Sequence, residues 1–249
     1  MKPQFDRVQI FCDFDGTITK GDTVDLLLET LALPEWREIE ALWVAGKING
    51  RECMSRQIPL IRGGWEAIEK VLATVELDRG FPAFVAWCRH RHIPFSIVSD
   101  GLDIVINTLL KRENVRVDKI WSNRLIENEF GALRIEFPER DHRVVCTTGR
   151  CKCQVLDMAP RGDLKVVIGD GRSDYCWAQN ADVLFAKDSL SRHCKSEGIN
   201  FHSYESMLEV RMALEELIPV MVPSQFAQSK SQSQVPVVDH FYEGAWVTA

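Results

Sequence analysis

Phe11–Thr19 has the sequence FCDFDGTIT and ends an apolar run that begins at Val8. Such a run is typical of a buried parallel strand. Asp13 and Asp15 stand two residues apart at its carboxyl end, so their side chains point to the same side. Two carboxylates this close repel each other unless a cation lies between them or one holds a proton. The pair therefore indicates a hard divalent cation, magnesium; the alternative is two solvated carboxylates at a strand end.

The composition is that of an ordinary globular protein, with 249 residues, 45% hydrophobic and 27% charged. The net charge of −6 argues against nucleic acid as a partner. No apolar run approaches the roughly 18 residues that span a bilayer, so a membrane partner is not expected. The first seven residues lack the apolar core of a signal peptide, and we expect a cytoplasmic protein. A monomer and a homodimer are both compatible with the sequence.

The segment from about Asp22 to Arg91 is mostly helical in pattern. Apolar residues recur at helical spacing in Glu35–Val44, Arg51–Ile61 and Trp65–Val75, and no strand pattern interrupts them. We therefore predict a helical insertion at residues 22–81, directly after the first strand. Residues 1–21 and 82–218 would form the main domain.

Beyond this segment, strands alternate with helices. Buried strands are predicted at Phe95–Ser99, Leu164–Ile168, Val183–Ala186 and Ile199–Phe201. This alternation predicts an α/β fold with a doubly wound, mostly parallel sheet. Short β-prone pieces between Val117 and Val145, the last at Arg143–Cys146, predict a small hairpin insertion. Residues 219–249 include a Ser- and Gln-rich stretch and are predicted to be partly loose.

Three of the predicted strands end in polar turns that contain glycine. The first is the turn that follows Asp13 and Asp15, and the others are Ser99-Asp100-Gly101 and Asp170-Gly171. Ligands of open α/β sheets bind at the carboxyl ends of the strands. A common site at this edge is therefore favoured over three separate solvated turns.

The order of these motifs resembles the haloacid dehalogenase (HAD) superfamily, whose core is a Rossmann-like sheet. The matching pieces are Asp13-Phe14-Asp15-Gly16-Thr17, Ser99, Lys152 and Gly169-Asp170-Gly171-Arg172-Ser173-Asp174. The resemblance covers the chain from about Val8 to Met207. Both aspartates of the first motif are present, as in the phosphatase branch, which implies hydrolysis of a phosphate ester.

The resemblance also implies a role for each residue. Asp13 would attack phosphorus to form an aspartyl-phosphate, and Asp15 would act as general acid and then as general base. Mg²⁺ would be held by Asp13, the backbone carbonyl of Asp15, and Asp170. The phosphoryl oxygens would be bound by Ser99, Asp100, Gly101 and Lys152, and Asp174 would orient Lys152 or a metal-bound water.

Within the superfamily, the helical insertion resembles the cap of the phosphoserine-phosphatase-like branch. Asp22 falls where those enzymes carry an acid that contacts substrate, although it could simply cap a helix. Their carboxylate-binding arginine falls on Gln57, with Arg56 adjacent, and Ser99-Asp100-Gly101 replaces their Ser-Gly-Gly. These departures disfavour phosphoserine.

Two other groups of the superfamily are closer to this sequence. The first motif is similar to that of the methionine-salvage phosphatases of 2-hydroxy-3-keto-5-methylthiopentenyl-1-phosphate. Phosphoethanolamine and phosphocholine phosphatases share the acid after Ser99 and cysteines near Lys152. The expected partner is therefore a small phosphorylated metabolite.

Two hypotheses of other classes remain. One is a non-catalytic HAD-like binding module, which the intact set of motif residues disfavours. The other is a zinc site built from Cys146, Cys151 and Cys153 with nearby His142, whose spacing matches no C-x2-C pair.

Overall fold

The computed structural model describes residues 5–139 and 146–222. They contain one seven-stranded sheet with the order β4-β3-β2-β1-β5-β6-β7, parallel except for the β3–β4 pair. The strands are β1 Val8–Cys12, β2 Phe95–Leu102, β3 Lys119–Glu127, β4 Leu133–Glu136, β5 Leu164–Gly169, β6 Val183–Ala186 and β7 His202–Ser203. The predicted doubly wound sheet with an edge hairpin is confirmed.

Ten α-helices connect the strands of the described chain. They are α1 Thr23–Leu31, α2 Trp36–Val44, α3 Gly50–Gln57, α4 Gly64–Leu72, α5 Phe81–His90, α6 Asp103–Arg112, α7 Lys152–Leu156, α8 Tyr175–Ala178, α9 Asp188–Glu197 and α10 Met207–Met221. None of the described helices is long and apolar enough to cross a membrane.

β1 occupies the centre of the sheet, and this position decides where the site forms. It pairs with β2 on one side, Ile10 opposite Phe95, and with β5 on the other, Val8 opposite Leu164. On one side of β1 the sheet continues with β2, β3 and β4. The chain then crosses back, and β5, β6 and β7 extend the sheet on the other side of β1. Ligands bind where the strand order reverses in this way.

Each face of the sheet carries an apolar layer. Alternate residues of a strand point to opposite faces. Ile10 accordingly joins the larger core, which includes residues of α1, α4, α5, α6 and α10. Phe11 joins the smaller core, formed with α7, α8 and α9. Burial on both faces explains why the central strands are continuous apolar runs.

Helices α1 to α4 all lie between β1 and the return to the sheet at α5. Asp22 caps α1 by accepting hydrogen bonds from the backbone N–H groups of Val24 and Asp25. Asn49 caps α3 in the same way. The assignment of residues 22–81 to a separate cap, with 1–21 and 82–218 as the core, stays a prediction.

Three predicted elements differ from the structure or lie outside it. The strand expected at Ile199–Phe201 was misplaced, since β7 lies at His202–Ser203. β2 continues through Asp100 and Gly101, with a register shift against β3, rather than ending at Ser99. Residues 143–145 of the third β-prone piece, and the tail beyond residue 222, lie outside the described residues.

Phe84 on α5 tests how much the larger core contributes to stability. Its ring packs edge-on against Phe95, with centroids 5.7 Å apart, and stacks on Trp87 at 5.8 Å. Phe84→Ala should lower the free energy of unfolding by about 3–5 kcal/mol, because it removes buried surface and leaves a cavity. Urea denaturation followed by circular dichroism measures this change.

Phe130→Ala is the matched control, because that ring is 84% exposed. It should change stability by no more than about 0.5 kcal/mol. Equal effects of the two substitutions would contradict the assignment of Phe84 to the core.

Candidate active site

The chain turns sharply after β1 and presents two carboxylates. The Phe14 side chain is fully buried in the larger core, so Asp13 and Asp15 lie on the other side of the backbone. The Phe14 carbonyl accepts hydrogen bonds from the N–H groups of Ile18 and Thr19, which closes the turn. Gly16 has a φ of +74°, and a Cβ there would lie 2.4 Å from Asp170 Oδ2. Only glycine fits this close approach.

Lys152 lies at the centre of the site and is fully buried. Its Nζ is 2.6 Å from Asp13 Oδ1 and 2.6 Å from Asp174 Oδ1. Burial alone would lower the pKa of Lys152, but the two carboxylates raise it above its ordinary value. The lysine is therefore a fixed positive charge against Asp13.

Asp13 is 3% exposed, and burial raises the pKa of its carboxyl well above the ordinary value. The charge of Asp174 adds to this shift, and Lys152 opposes it. Asp13 therefore depends on the positive charge of Lys152, rather than on water, to stabilise its ionised form.

Asp15 is half-buried and held by three donors. The Thr23 hydroxyl and backbone N–H donate to Oδ1 at 2.5 and 3.0 Å, and the Ser99 hydroxyl donates to Oδ2 at 3.2 Å. Burial raises the pKa of Asp15, while these hydrogen bonds oppose the rise. The hydrogen bonds therefore orient the Asp15 carboxyl, and burial favours its protonated form.

Ser99, Asp100 and Gly101 form the second wall, at the end of β2. Ser99 is fully buried and accepts a hydrogen bond from the Gly101 N–H at 2.8 Å. Asp100 Oδ1 accepts from the Arg150 N–H at 2.6 Å and from Asn123 Nδ2 at 3.1 Å. A Cβ on Gly101 would lie 2.4 Å from Asp15 Oδ2, so the strand end and the first motif are in close contact.

Asp170 follows β5 and completes an acidic cluster. One carboxylate oxygen from each of Asp13, Asp170 and Asp174 lies within 4.8 Å of the others. Burial raises the pKa of Asp170 to about 6, helped by the charge of Asp174. Thr17 donates to Asp170 Oδ1 at 2.7 Å.

These carboxylates fit a magnesium ion, because the donor set is hard oxygen and the cluster carries more negative than positive charge. Asp174 differs from the other two in that both its oxygens are already bound to protein donors. Oδ1 is paired with Lys152, and Oδ2 accepts from the N–H groups of Asp170 and Gly171, at 3.1 Å each. Asp13 and Asp170 are therefore the side chains that could hold the ion.

A cavity of about 460 Å³ opens over the carboxylates, a size typical of small-molecule sites. Asp13, Asp15, Asp100, Gly101 and Asp170 line its floor. Its roof consists of residues of α1 to α3 and the turn between α2 and α3, among them Val24, Glu40, Trp43, Ile48, Met54 and Gln57.

The two residues predicted to contact substrate have different positions. Asp22 lines the cavity and also caps α1, so both interpretations of it hold structurally. Arg56 is exposed, lies 3.5 Å from Glu52, and is not among the residues that line the cavity. Gln57 is buried there instead and donates to Glu40 Oε2 at 2.9 Å. Arg56 is therefore not retained as a specificity residue.

Several residues around the site were not singled out from the sequence. Thr17 donates a hydrogen bond to Asp170, Thr23 donates one to Asp15, and Asn123 donates one to Asp100. Thr17 lies inside the first motif and could have been found there. Asn123, on β3, carries no local signal, because only the pairing of β2 with β3 brings it near.

Comparison with known proteins places this arrangement in context. A protein of Bacillus cereus (strain ATCC 10987 / NRS 248), named 2-hydroxy-3-keto-5-methylthiopentenyl-1-phosphate phosphatase, is 29% identical over 218 residues. The match covers 86% of this chain and 98% of that protein. A protein of the same name from Bacillus anthracis is also 29% identical, over 219 residues.

Solved structures share the fold. A phosphoserine phosphatase with an analogue of its phospho-aspartyl intermediate superposes with a TM-score of 0.62 at 19% identity, covering 84% of this chain and 98% of that one. The structure of cytosolic 5'-nucleotidase IIIB bound to cytidine superposes with a TM-score of 0.62 at 19% identity. The match covers 90% of this chain and 88% of that one.

The family model of the haloacid dehalogenase-like hydrolases matches residues 10–179. This span begins in β1 and includes Asp13, Ser99, Lys152 and Asp170. The chain belongs to the haloacid dehalogenase-like hydrolases.

Proposed function

We propose that this hydrolase is a Mg²⁺-dependent phosphatase of a small phosphorylated metabolite and acts through a phosphorylated Asp13. The observation that carries the proposal is the meeting of Asp13, Asp15, Ser99, Lys152 and Asp170 at the carboxyl ends of three adjacent strands. A non-catalytic module would have no need of a buried carboxylate paired with a buried lysine.

The first step is attack of an Asp13 carboxylate oxygen on phosphorus, which breaks the bond to the substrate alkoxide. Lys152 and Ser99 would bind the non-bridging phosphoryl oxygens, Lys152 as a point charge and Ser99 by turning its hydroxyl away from Asp15 Oδ2. Asp13, Asp170 and the Asp15 carbonyl would hold Mg²⁺, which would neutralise negative charge on the phosphoryl oxygens. Phosphate-monoester hydrolysis can need acceleration of order 10²¹, so many groups must contribute.

Asp15 moves the protons in both steps. Its raised pKa favours the protonated acid, which donates a proton to the departing alkoxide. As a carboxylate it then takes a proton from the water that hydrolyses the aspartyl-phosphate. Two hydrogen bonds from Thr23 to Asp15 Oδ1 orient the carboxyl for these transfers.

The substrate that the cavity supports best is 2-hydroxy-3-keto-5-methylthiopentenyl-1-phosphate, the compound named for the Bacillus relatives. Val24, Trp43, Ile48 and Met54 give the roof an apolar surface suited to a methylthio group. Arg172 is the one basic residue among the described lining residues, and its guanidinium lies over the Trp43 ring. A substrate carboxylate, as in phosphoserine, would therefore have only Arg172 as a cationic partner among the described lining residues.

A second candidate is phosphoethanolamine or phosphocholine. Asp22, Asp25 and Glu40 also line the roof, and their negative charge would attract a cationic group.

Asp13→Asn tests the nucleophile. The substitution keeps the size of the side chain and removes the attacking oxygen, so kcat should fall by roughly 10³-fold or more. Hydrolysis of p-nitrophenyl phosphate with Mg²⁺ measures this loss, and circular dichroism checks the fold. Asp182→Asn is the control, because Asp182 accepts from the Lys165 N–H at the opposite end of β5. Activity of Asp13→Asn near that of the wild type would refute the assignment.

Metal binding should depend on pH through Asp170. Its folded pKa of about 6 lies above the ordinary value of 3.8, so the metal-free protein loses stability as pH rises through this range. Mg²⁺ needs the deprotonated carboxylate, and its affinity should therefore be about tenfold weaker at pH 5 than at pH 7.5.

Thermal unfolding at fixed Mg²⁺ concentration measures this dependence, since a bound ligand raises Tm. The Tm increase should be larger at pH 7.5 than at pH 5, and Asp170→Asn should abolish it at both. Equal increases in the wild type at the two pH values would show that Asp170 does not hold the ion.

Asp25→Asn distinguishes the two substrate candidates. Asp25 is exposed at the rim of the cavity, so the change removes charge without disturbing packing. For phosphocholine, kcat/KM should fall about two- to fivefold if the cation binds here, as for an exposed ion pair. For the methylthiopentenyl phosphate it should stay unchanged. If the methylthiopentenyl phosphate is the substrate, the wild-type kcat/KM should be higher for it than for phosphocholine. The reverse order would overturn this assignment.

A further inference from the structure

Four cysteines meet beside the catalytic lysine. The Sγ atoms of Cys146, Cys151 and Cys153 lie within 4.8 Å of one another, and those of Cys151 and Cys153 are 3.1 Å apart. The Cys176 side chain neighbours Cys146 and Cys153, although its Sγ does not lie within 4.8 Å of all three other sulfurs. All four are free thiols.

The four thiols come from two separate parts of the chain. Cys146, Cys151 and Cys153 belong to the segment that enters α7, while Cys176 lies on α8. The sequence suggested only the first three, together with His142, which lies outside the described residues. Cys176 is 23 positions beyond Cys153 and joins them only through folding.

We propose that Cys146, Cys151, Cys153 and Cys176 form a structural zinc site. Zn²⁺ in such sites takes four thiolates at about 2.3 Å in a tetrahedron, which separates the sulfurs by about 3.8 Å. The Sγ atoms of Cys146, Cys151 and Cys153 lie within 4.8 Å of one another, so small rotations would bring these three to one zinc ion. The Cys176 Sγ is not within that distance of all three and would have to turn inward from the Ser173 carbonyl, to which its thiol donates at 3.7 Å. Thiolates are the soft ligands that select zinc over magnesium, so this site and the carboxylate site bind different metals.

Zinc binding would require all four thiols to lose their protons, which would pass to solvent.

The site has a structural consequence for catalysis. Lys152 lies between two of the ligands, and Asp174 lies two residues before Cys176. A zinc ion bound to all four would fix the backbone that carries Lys152 to the backbone that carries Asp174. It would therefore position the lysine that faces Asp13 without itself contacting substrate.

Metal analysis of the full-length protein tests this inference. Protein incubated with a small excess of ZnSO₄ and then desalted should retain about one zinc per chain, measured by mass spectrometry of the metal. Cys176→Ser should lose most of this zinc, and Cys88→Ser should keep it. Cys88 is the matched control because it is another buried thiol, on α5 in the larger core, across the sheet from α7 and α8.

Thiol protection in the wild type provides a second measurement that needs no variant to fold. Zinc should slow alkylation of the four cysteines by iodoacetamide, as read from peptide masses, and a chelator should restore it. Wild-type protein that retains no zinc and shows no protection would overturn the proposal, as would full zinc retention by Cys176→Ser. Neither readout involves phosphatase activity, so failure of this inference and failure of the proposed function can be told apart.

Discussion

The structure depends on one buried ammonium group among carboxylates. Lys152 is fully enclosed and pairs with Asp13 and Asp174, each at 2.6 Å. Removing these charges from water is costly, and a lysine left alone in this position would be strongly destabilising. Asp170, which lies beside the pair, adds negative charge that Lys152 does not balance. The folded chain therefore holds a charge pattern that a cation and a phosphate group would complete.

The sheet order explains how these groups meet. β1 lies between β2 and β5, so the residues that end these three strands are neighbours at one edge. Close backbone approach is required there, since a Cβ on Gly16 would collide with Asp170 and one on Gly101 with Asp15. The glycines of these motifs therefore allow the strand ends to approach each other closely, in addition to allowing the chain to turn. The turn after β1 is therefore in close contact with the ends of both neighbouring strands.

The sequence predicted this edge because its signals are local. Apolar runs ending in Asp13, Ser99 and Asp170 identify parallel strands, and the known behaviour of such sheets brings their ends together. Contacts made across the fold carry no such signal. Asn123 reaches Asp100 only through strand pairing, and Cys176 reaches the other cysteines only when α7 and α8 pack. Arg56 and Gln57 show a further limit, because helical phase decides which of two neighbouring residues faces the cavity, and the resemblance in sequence does not determine that phase.

The two sides of the cavity have different chemical tasks. The floor comes from strand ends and holds groups that suit any phosphate ester, whereas the roof combines apolar residues such as Trp43 and Met54 with the acid Glu40. The two sides touch at defined points: Arg172, from the turn after β5, lies over Trp43, and the Arg51 N–H donates to the Thr147 carbonyl. Thr147 is in turn the neighbour of Cys146. The segment from Cys146 to Cys153 therefore contacts the roof at one end and carries Lys152 at the other. Anchoring this segment would keep Lys152 and the roof at a fixed distance from each other, so that, under the proposed function, the roof that selects the substrate would be aligned with Asp13.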